Sequence, residues 1–270
     1  MSAQFGPLVS GTWLAAHLDD VHVVDVRWYL DGRSGRAAYE RGHVPGAVWL
    51  DIDTDLSAPA STAEGRHPLP TPEHFAAALG RVGIASGQRV VAYDDAGGSI
   101  AARLWWLLHV LDDPVAVLDG GLAAWPGPLV ADAVAVDAVD REPRDWPVER
   151  FVSAAQVAAV TDTAVFDART AERYVHGKEG IDPRPGHIPG AVSAPWGGNL
   201  AADGRFRDSE ALRERFAAAD GRPAIAYCGS GVTACHDLLA MELAGLTSTA
   251  LYAGSWSQWG ADPQRPTETG

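Results

Sequence analysis

The chain has 270 residues, 47% hydrophobic and 21% charged, a balance that suits a globular protein with room for two ordinary domains. Its net charge of −14 argues against nucleic acid as a partner, since phosphate binding needs clustered Lys and Arg, and makes solubility the main use of the acidity. Two cysteines and no positively charged apolar leader over Met1 to Ser10 lead us to expect a cytoplasmic setting; His109, Asp112, Asp113 and Pro114 break the apolar stretch from Leu104 to Val117, so no membrane partner is expected.

In chain order, Gly11-Thr12-Trp13-Leu14-Ala15 opens a first unit and is followed by Val23-Val24-Asp25-Val26-Arg27, Gly42-His43-Val44-Pro45-Gly46-Ala47, Val91-Ala92-Tyr93 and Asp119-Gly120-Gly121-Leu122-Ala123-Ala124-Trp125. Pro126 to about Arg150 reads as a linker. Pro126, Pro128, Pro143 and Pro147 interrupt regular structure there, and Val130 to Val139 suits an extended arm along one domain. A second unit opens at Val152 with Ser153 as a helix N-cap and repeats the first: Ala164-Val165-Phe166-Asp167-Ala168-Arg169, Gly186-His187-Ile188-Pro189-Gly190-Ala191, Ile225-Ala226-Tyr227 and Ala253-Gly254-Ser255-Trp256-Ser257-Gln258-Trp259. Pro223 to Tyr227 reads as a buried strand and Val232 to Leu243 as a helix. Asp262 to Gly270 is polar and is expected to fray. So long a unit occurring twice means duplicated domains, not a solenoid.

Duplication permits an internal comparison: residues shared by both copies serve the fold, and residues that differ are candidates for chemistry. Cys228 stands opposite Asp94 and Arg173 opposite Asp31. By contrast Arg169, Asp167 and His187 have twins in Arg27, Asp25 and His43, so a structural role is the better reading for each, with Arg169 in an ion pair. Cys228 lies between strand and helix in Cys228-Gly229-Ser230-Gly231-Val232-Thr233-Ala234. The glycines let the backbone curl so that N–H groups point at the sulfur, and the helix adds its positive end, which favours thiolate over thiol. Cys235 reads as a small packed residue.

These residues resemble the rhodanese family, specifically tandem-domain sulfurtransferases in which only the C-terminal domain is catalytic. The loop from Cys228 to Ala234 is similar to that of 3-mercaptopyruvate sulfurtransferases and of many bacterial thiosulfate sulfurtransferases. Asp25-Val26-Arg27-Trp28-Tyr29-Leu30, the two Gly-His-x-Pro-Gly-Ala segments, Arg103-Leu104-Trp105-Trp106 and Asp119-Gly120-Gly121 support it. The resemblance implies an α/β fold of two tandem rhodanese-like domains, each a parallel sheet flanked by helices: a non-catalytic domain over 1–127, a linker over 128–150 and a catalytic domain over 151–270.

With no metal-ligand cluster and no dinucleotide fingerprint, neither metal nor cofactor is expected, and Cys228 acts as a nucleophile. It would take a sulfane sulfur from a small anionic donor, 3-mercaptopyruvate or thiosulfate, and pass it from a Cys228 persulfide to cyanide or to a thiol or dithiol such as a thioredoxin-like protein. The N–H groups of Gly229, Ser230, Gly231, Val232, Thr233 and Ala234 would hold the charge. Resemblance assigns Arg173 to the donor's anionic end. A second arginine is usual about nine residues later, where this chain has Asp182; Arg184 is the nearby candidate. Ser230 could deliver a proton to the pyruvate enolate left by mercaptopyruvate. Neutral Gly229 and Ser230 favour that donor, since thiosulfate enzymes often carry two cationic residues there. Two readings compete: a non-catalytic sulfur-carrier or protein-binding module, against which Cys228 and its glycines are retained, and a cysteine phosphatase or arsenate reductase, which needs an arginine where Ala234 stands.

Overall fold

The computed structural model describes residues 5–269. The chain divides into two compact units, one of Met1–Ala58, Pro70–Trp146 and Asp203–Arg205, the other of Pro59–Leu69, Pro147–Ala202 and Phe206–Gly270. In the first, β1 (Leu8–Val9), β2 (His22–Asp25), β3 (Val48–Trp49), β4 (Val90–Tyr93) and β5 (Val115–Leu118) form a parallel sheet in the order β1-β5-β4-β2-β3. The apolar runs Val90-Val91-Ala92-Tyr93 and Val115-Ala116-Val117-Leu118 are buried throughout, as central parallel strands covered on both faces must be. Helices Gly11–Ala16, Gly35–Arg41 and Pro72–Arg81 start at Ser10, Ser34 and Thr71, each side chain accepting a hydrogen bond from the first turn. Val130 pairs with His43, and Val139 N–H donates to the Gly80 carbonyl, so this arm runs along the first unit.

The second unit repeats the plan with β6 (Ala164–Asp167), β7 (Val192–Ser193), β8 (Ala224–Tyr227) and β9 (Thr249–Leu251), ordered β7-β6-β8-β9 and again parallel. Phe151 bridges Leu251 where β1 meets β5 in the first copy. Helix Ala154–Ala159 opens with a capping box between Ser153 and Gln156. Val165, Ile225, Tyr227, Tyr252, Trp256 and Trp259 form a core cluster beneath the site.

Repeated residues do repeated structural work. Arg27 forks onto Asp25 and reaches the Gly42 carbonyl, and Arg169 forks onto Asp167 and reaches the Gly186 carbonyl. His43 stacks on Tyr39 and His187 on Tyr174, each bonded through Nδ1 to its partner's carbonyl. The C-terminal segment departs from expectation. Glu268 exchanges backbone hydrogen bonds with His187, Trp259 Nε1 donates to the Pro266 carbonyl and Arg265 lies over the Trp259 ring, so residues through Glu268 are tied down rather than frayed; Gly270 lies outside the described residues.

One buried acid carries a pH prediction. Asp237, in helix Ala234–Leu243, accepts from Asn199 Nδ2 at 2.7 Å, while its other oxygen has no hydrogen-bond partner among the described residues. Burial pushes its pKa up to about 8 against the smaller opposing pulls of Asn199 and Arg215. The folded state then holds a proton that the unfolded state has released, so stability falls as pH rises from the ordinary carboxylate range to about 8. Asp237→Asn is expected to flatten that fall, gaining at most about 1.4 kcal/mol per pH unit relative to the parent. Denaturant unfolding from pH 5 to 9 checks this, and parallel profiles would refute it.

Candidate active site

β8 ends at Tyr227, and Cys228 follows at the carboxyl end of the parallel sheet, where open α/β sheets gather their ligands. The loop then turns through Gly231 at φ +80°, where a Cβ would lie 2.6 Å from the Ala253 carbonyl oxygen, so only glycine fits. The N–H groups of Ser230 and Gly231 donate to Cys228 Sγ at 3.4 and 3.1 Å. Val232, Thr233 and Ala234 lead into helix Ala234–Leu243. The loop is held from behind: Cys228 N–H donates to Ser255 Oγ at 3.1 Å, while the N–H groups of Trp256 and Ser257 donate to the carbonyls of Cys228 and Gly229, each at 2.9 Å. These two carbonyls are thereby engaged away from the sulfur, leaving the Ser230 and Gly231 amide dipoles to face Sγ. Ser255 itself has φ +51°, an unusual conformation for a side-chain-bearing residue, and its buried hydroxyl donates to the Tyr252 carbonyl at 2.9 Å.

The first unit builds the same cradle and fills it. Asp94 follows β4 as Cys228 follows β8, and its carboxylate accepts the N–H groups of Ala96, Gly98, Ile100 and Ala101 at 2.7 to 2.8 Å. A carboxylate at this position repels an anionic substrate. The geometry adds that its own carboxylate occupies the anion site.

Arg173, in helix Ala171–His176, points across the Cys228 loop: a Cβ built on Gly229 would lie 2.7 Å from its Nη2. It is also bound in a fork by Asp182, Nε to Oδ2 at 2.8 Å and Nη2 to Oδ1 at 2.5 Å. Arg184 does not join the site. Its Nη2 donates to the carbonyls of Asp262 and Arg265 at 3.0 and 2.8 Å, so the guanidinium anchors the C-terminal segment, which corrects the expectation that it binds the donor. Cys235 is buried, its sulfur 3.3 Å from the Gly231 carbonyl, as a packed thiol.

Two residues arrive from far away in sequence. The segment Pro59–Leu69 belongs to the second unit and brings His67 Nδ1 within 2.7 Å of Ser230 Oγ, both groups buried. It also brings Arg66 to the same face of Gly229 as Arg173, its Nη2 lying 3.1 Å from the Cβ position. Among the described residues no group of His, Cys, Asp or Glu is arranged to hold a metal, and no helix is long and apolar enough to cross a membrane.

The family model for the rhodanese-like domain matches residues 10–127 and again 153–262. The chain belongs to the rhodanese family. It is a sulfurtransferase with two tandem rhodanese-like α/β domains. It is 44% identical to the Pseudomonas aeruginosa protein named "Probable 3-mercaptopyruvate sulfurtransferase", over 97% of this chain and 98% of that one. It is 35% identical to the 3-mercaptopyruvate sulfurtransferase of Escherichia coli strain K12, over 96% and 97%. The crystal structure of SseA from Escherichia coli, described as a 3-mercaptopyruvate sulfotransferase, superposes with a TM-score of 0.79 at 32% identity, covering 93% of this chain and 98% of that one.

Within this rhodanese frame, sequence reasoning missed Arg66 and His67. The only local signal was Gly65-Arg66-His67-Pro68, two basic residues between turn formers in a proline-bearing stretch, and nothing in that window says which unit it joins. Gly65 supplies the close approach: its φ is +94°, and a Cβ there would meet the Gly254 carbonyl oxygen at 2.6 Å.

Proposed function

We propose that the enzyme moves a sulfane sulfur from 3-mercaptopyruvate, in preference to thiosulfate, to a thiol or dithiol acceptor such as a thioredoxin-like protein in the cytoplasm. The observation that carries the donor choice is the buried contact between His67 and Ser230 beside Cys228. The Cys228 thiolate attacks the sulfur of mercaptopyruvate, the new S–S bond forms as the C–S bond breaks, and the electron pair passes to the methylene carbon as the pyruvate enolate. That carbon needs a proton. Ser230, hydrogen-bonded to His67, is placed to deliver or relay it, whereas thiosulfate leaves as sulfite and needs no such donor. The outer sulfur of the persulfide comes to rest among the loop N–H groups, and an acceptor thiolate removes it to regenerate Cys228. The names of the relatives from Pseudomonas aeruginosa and Escherichia coli support the same donor.

The test compares both donors with cyanide as acceptor. kcat/KM for 3-mercaptopyruvate should exceed that for thiosulfate, and Ser230→Ala should slow the mercaptopyruvate reaction more than the thiosulfate one, by roughly 10²-fold or more in kcat if proton delivery is lost. His67→Gln should show the same bias. A parent enzyme that prefers thiosulfate overturns the donor assignment.

A further inference from the structure

Arg173 alone is an incomplete anion site, because Asp182, its side chain only 2% exposed, takes both its Nε and its Nη2. The same carboxylate stands 3.8 Å from Arg169 Nη1. A donor anion approaching Cys228 therefore meets in Arg173 a guanidinium already shared with a carboxylate. Arg66 reaches the same place by a different route. Its backbone N–H donates to Ser257 Oγ at 2.9 Å and its Nη1 to the Ile181 carbonyl at 3.2 Å, so one contact holds the backbone and the other the guanidinium. Its Nη2 comes onto Gly229 beside Nη2 of Arg173, and a side chain at Gly229 would collide with both. A cleft of about 420 Å3 adjoins Arg66, with Ile181, Asp182 and Ser257 also in its lining, while Arg173 and the Cys228 loop lie outside that lining.

We propose that Arg66 is a donor-binding residue that forms an anion clamp with Arg173, and that Asp182 tunes this clamp toward a singly charged donor. A carboxylate beside the clamp offsets part of the two guanidinium charges, which penalises a dianion more than a monoanion because the repulsion scales with donor charge. Arg66 thus takes the place that a second arginine nine residues after Arg173 would hold, and the residue found there, Asp182, becomes a selectivity element. The inference rests on the sulfur-transfer reading of the Cys228 site, but its test is made to depend on binding rather than on turnover.

The experiment titrates thiosulfate and 3-mercaptopyruvate calorimetrically into the Cys228→Ser protein, alone and combined with Arg66→Ala, Arg66→Lys or Asp182→Asn, with melting curves to establish folding. Arg66→Ala should weaken both donors about 10- to 150-fold, the range of one charge-assisted contact, and Arg66→Lys should recover part of the loss. Asp182→Asn should tighten thiosulfate several-fold more than mercaptopyruvate. The clamp is overturned if Arg66→Ala leaves both affinities within about twofold of the parent, and the tuning role is overturned if Asp182→Asn shifts both donors equally. A parent enzyme preferring thiosulfate in turnover would refute the donor assignment while leaving these affinity comparisons to stand or fall separately.

Discussion

Cys228→Ser is expected to reduce sulfur transfer from any donor by at least about 10³-fold while leaving the protein folded, because serine keeps the loop geometry but is a far poorer nucleophile toward sulfur. The Ser230 and Gly231 N–H groups that reach Sγ would still have an acceptor in the serine oxygen, so the substitution leaves no buried donor stranded. Mass spectrometry gives the direct reading. Parent protein incubated with donor should gain the mass of one sulfur atom on the peptide containing Cys228 and lose it on addition of cyanide. Cys235 is the internal control, a buried thiol bonded to the Gly231 carbonyl, and a sulfur found there alone would refute the assignment of the nucleophile.

Arg27→Ala should cost about 3–5 kcal/mol of first-unit stability with no donor-specific kinetic defect. Arg27 Nη2 lies 2.6 Å from Asp25 Oδ2 and 2.7 Å from the Gly42 carbonyl, and Asp25 is completely buried. Truncation leaves that carboxylate in the core with the Arg27 backbone N–H as its remaining partner from this pair, and an uncompensated buried charge is far more costly than the intact pair is stabilising. Thermal unfolding should show the loss, and donor KM measured on the folded protein should stay near that of the parent. An unchanged melting temperature together with a raised donor KM would give Arg27 a binding role instead.

Much of the site was legible because the chemistry of the loop is local. The cysteine, the glycine at positive φ and the following helix lie within a few residues of one another, and backbone sterics alone turn that order into converging N–H groups. The duplication made a structural ion pair readable for Arg169, and the structure supplied its partner, Asp167, as it supplied Asp25 for Arg27, each two residues away at a strand end. What occupied the empty half of the comparison was less legible. The sequence showed an aspartate where the other copy has a cysteine, but only the fold showed its carboxylate seated on four backbone amides.

Taken alone, the amino-acid sequence determined the two α/β repeats and the loop of backbone N–H groups around Cys228, because apolar periodicity and glycine placement act over short range. Tertiary structure decided which side chains surround Cys228 and its loop. His67 lies 163 residues from Ser230 in sequence, and Arg66 comes in on the same segment; no local pattern encodes where such a segment docks. Arg184 and Asp182 make the same point in reverse. Family resemblance nominated Arg184 as the arginine nearest the usual position, yet three carbonyls near the C-terminus lie within reach of its guanidinium, while Asp182 sits on Arg173. Long flexible side chains go where buried partners satisfy them, and those partners are set by packing between distant segments.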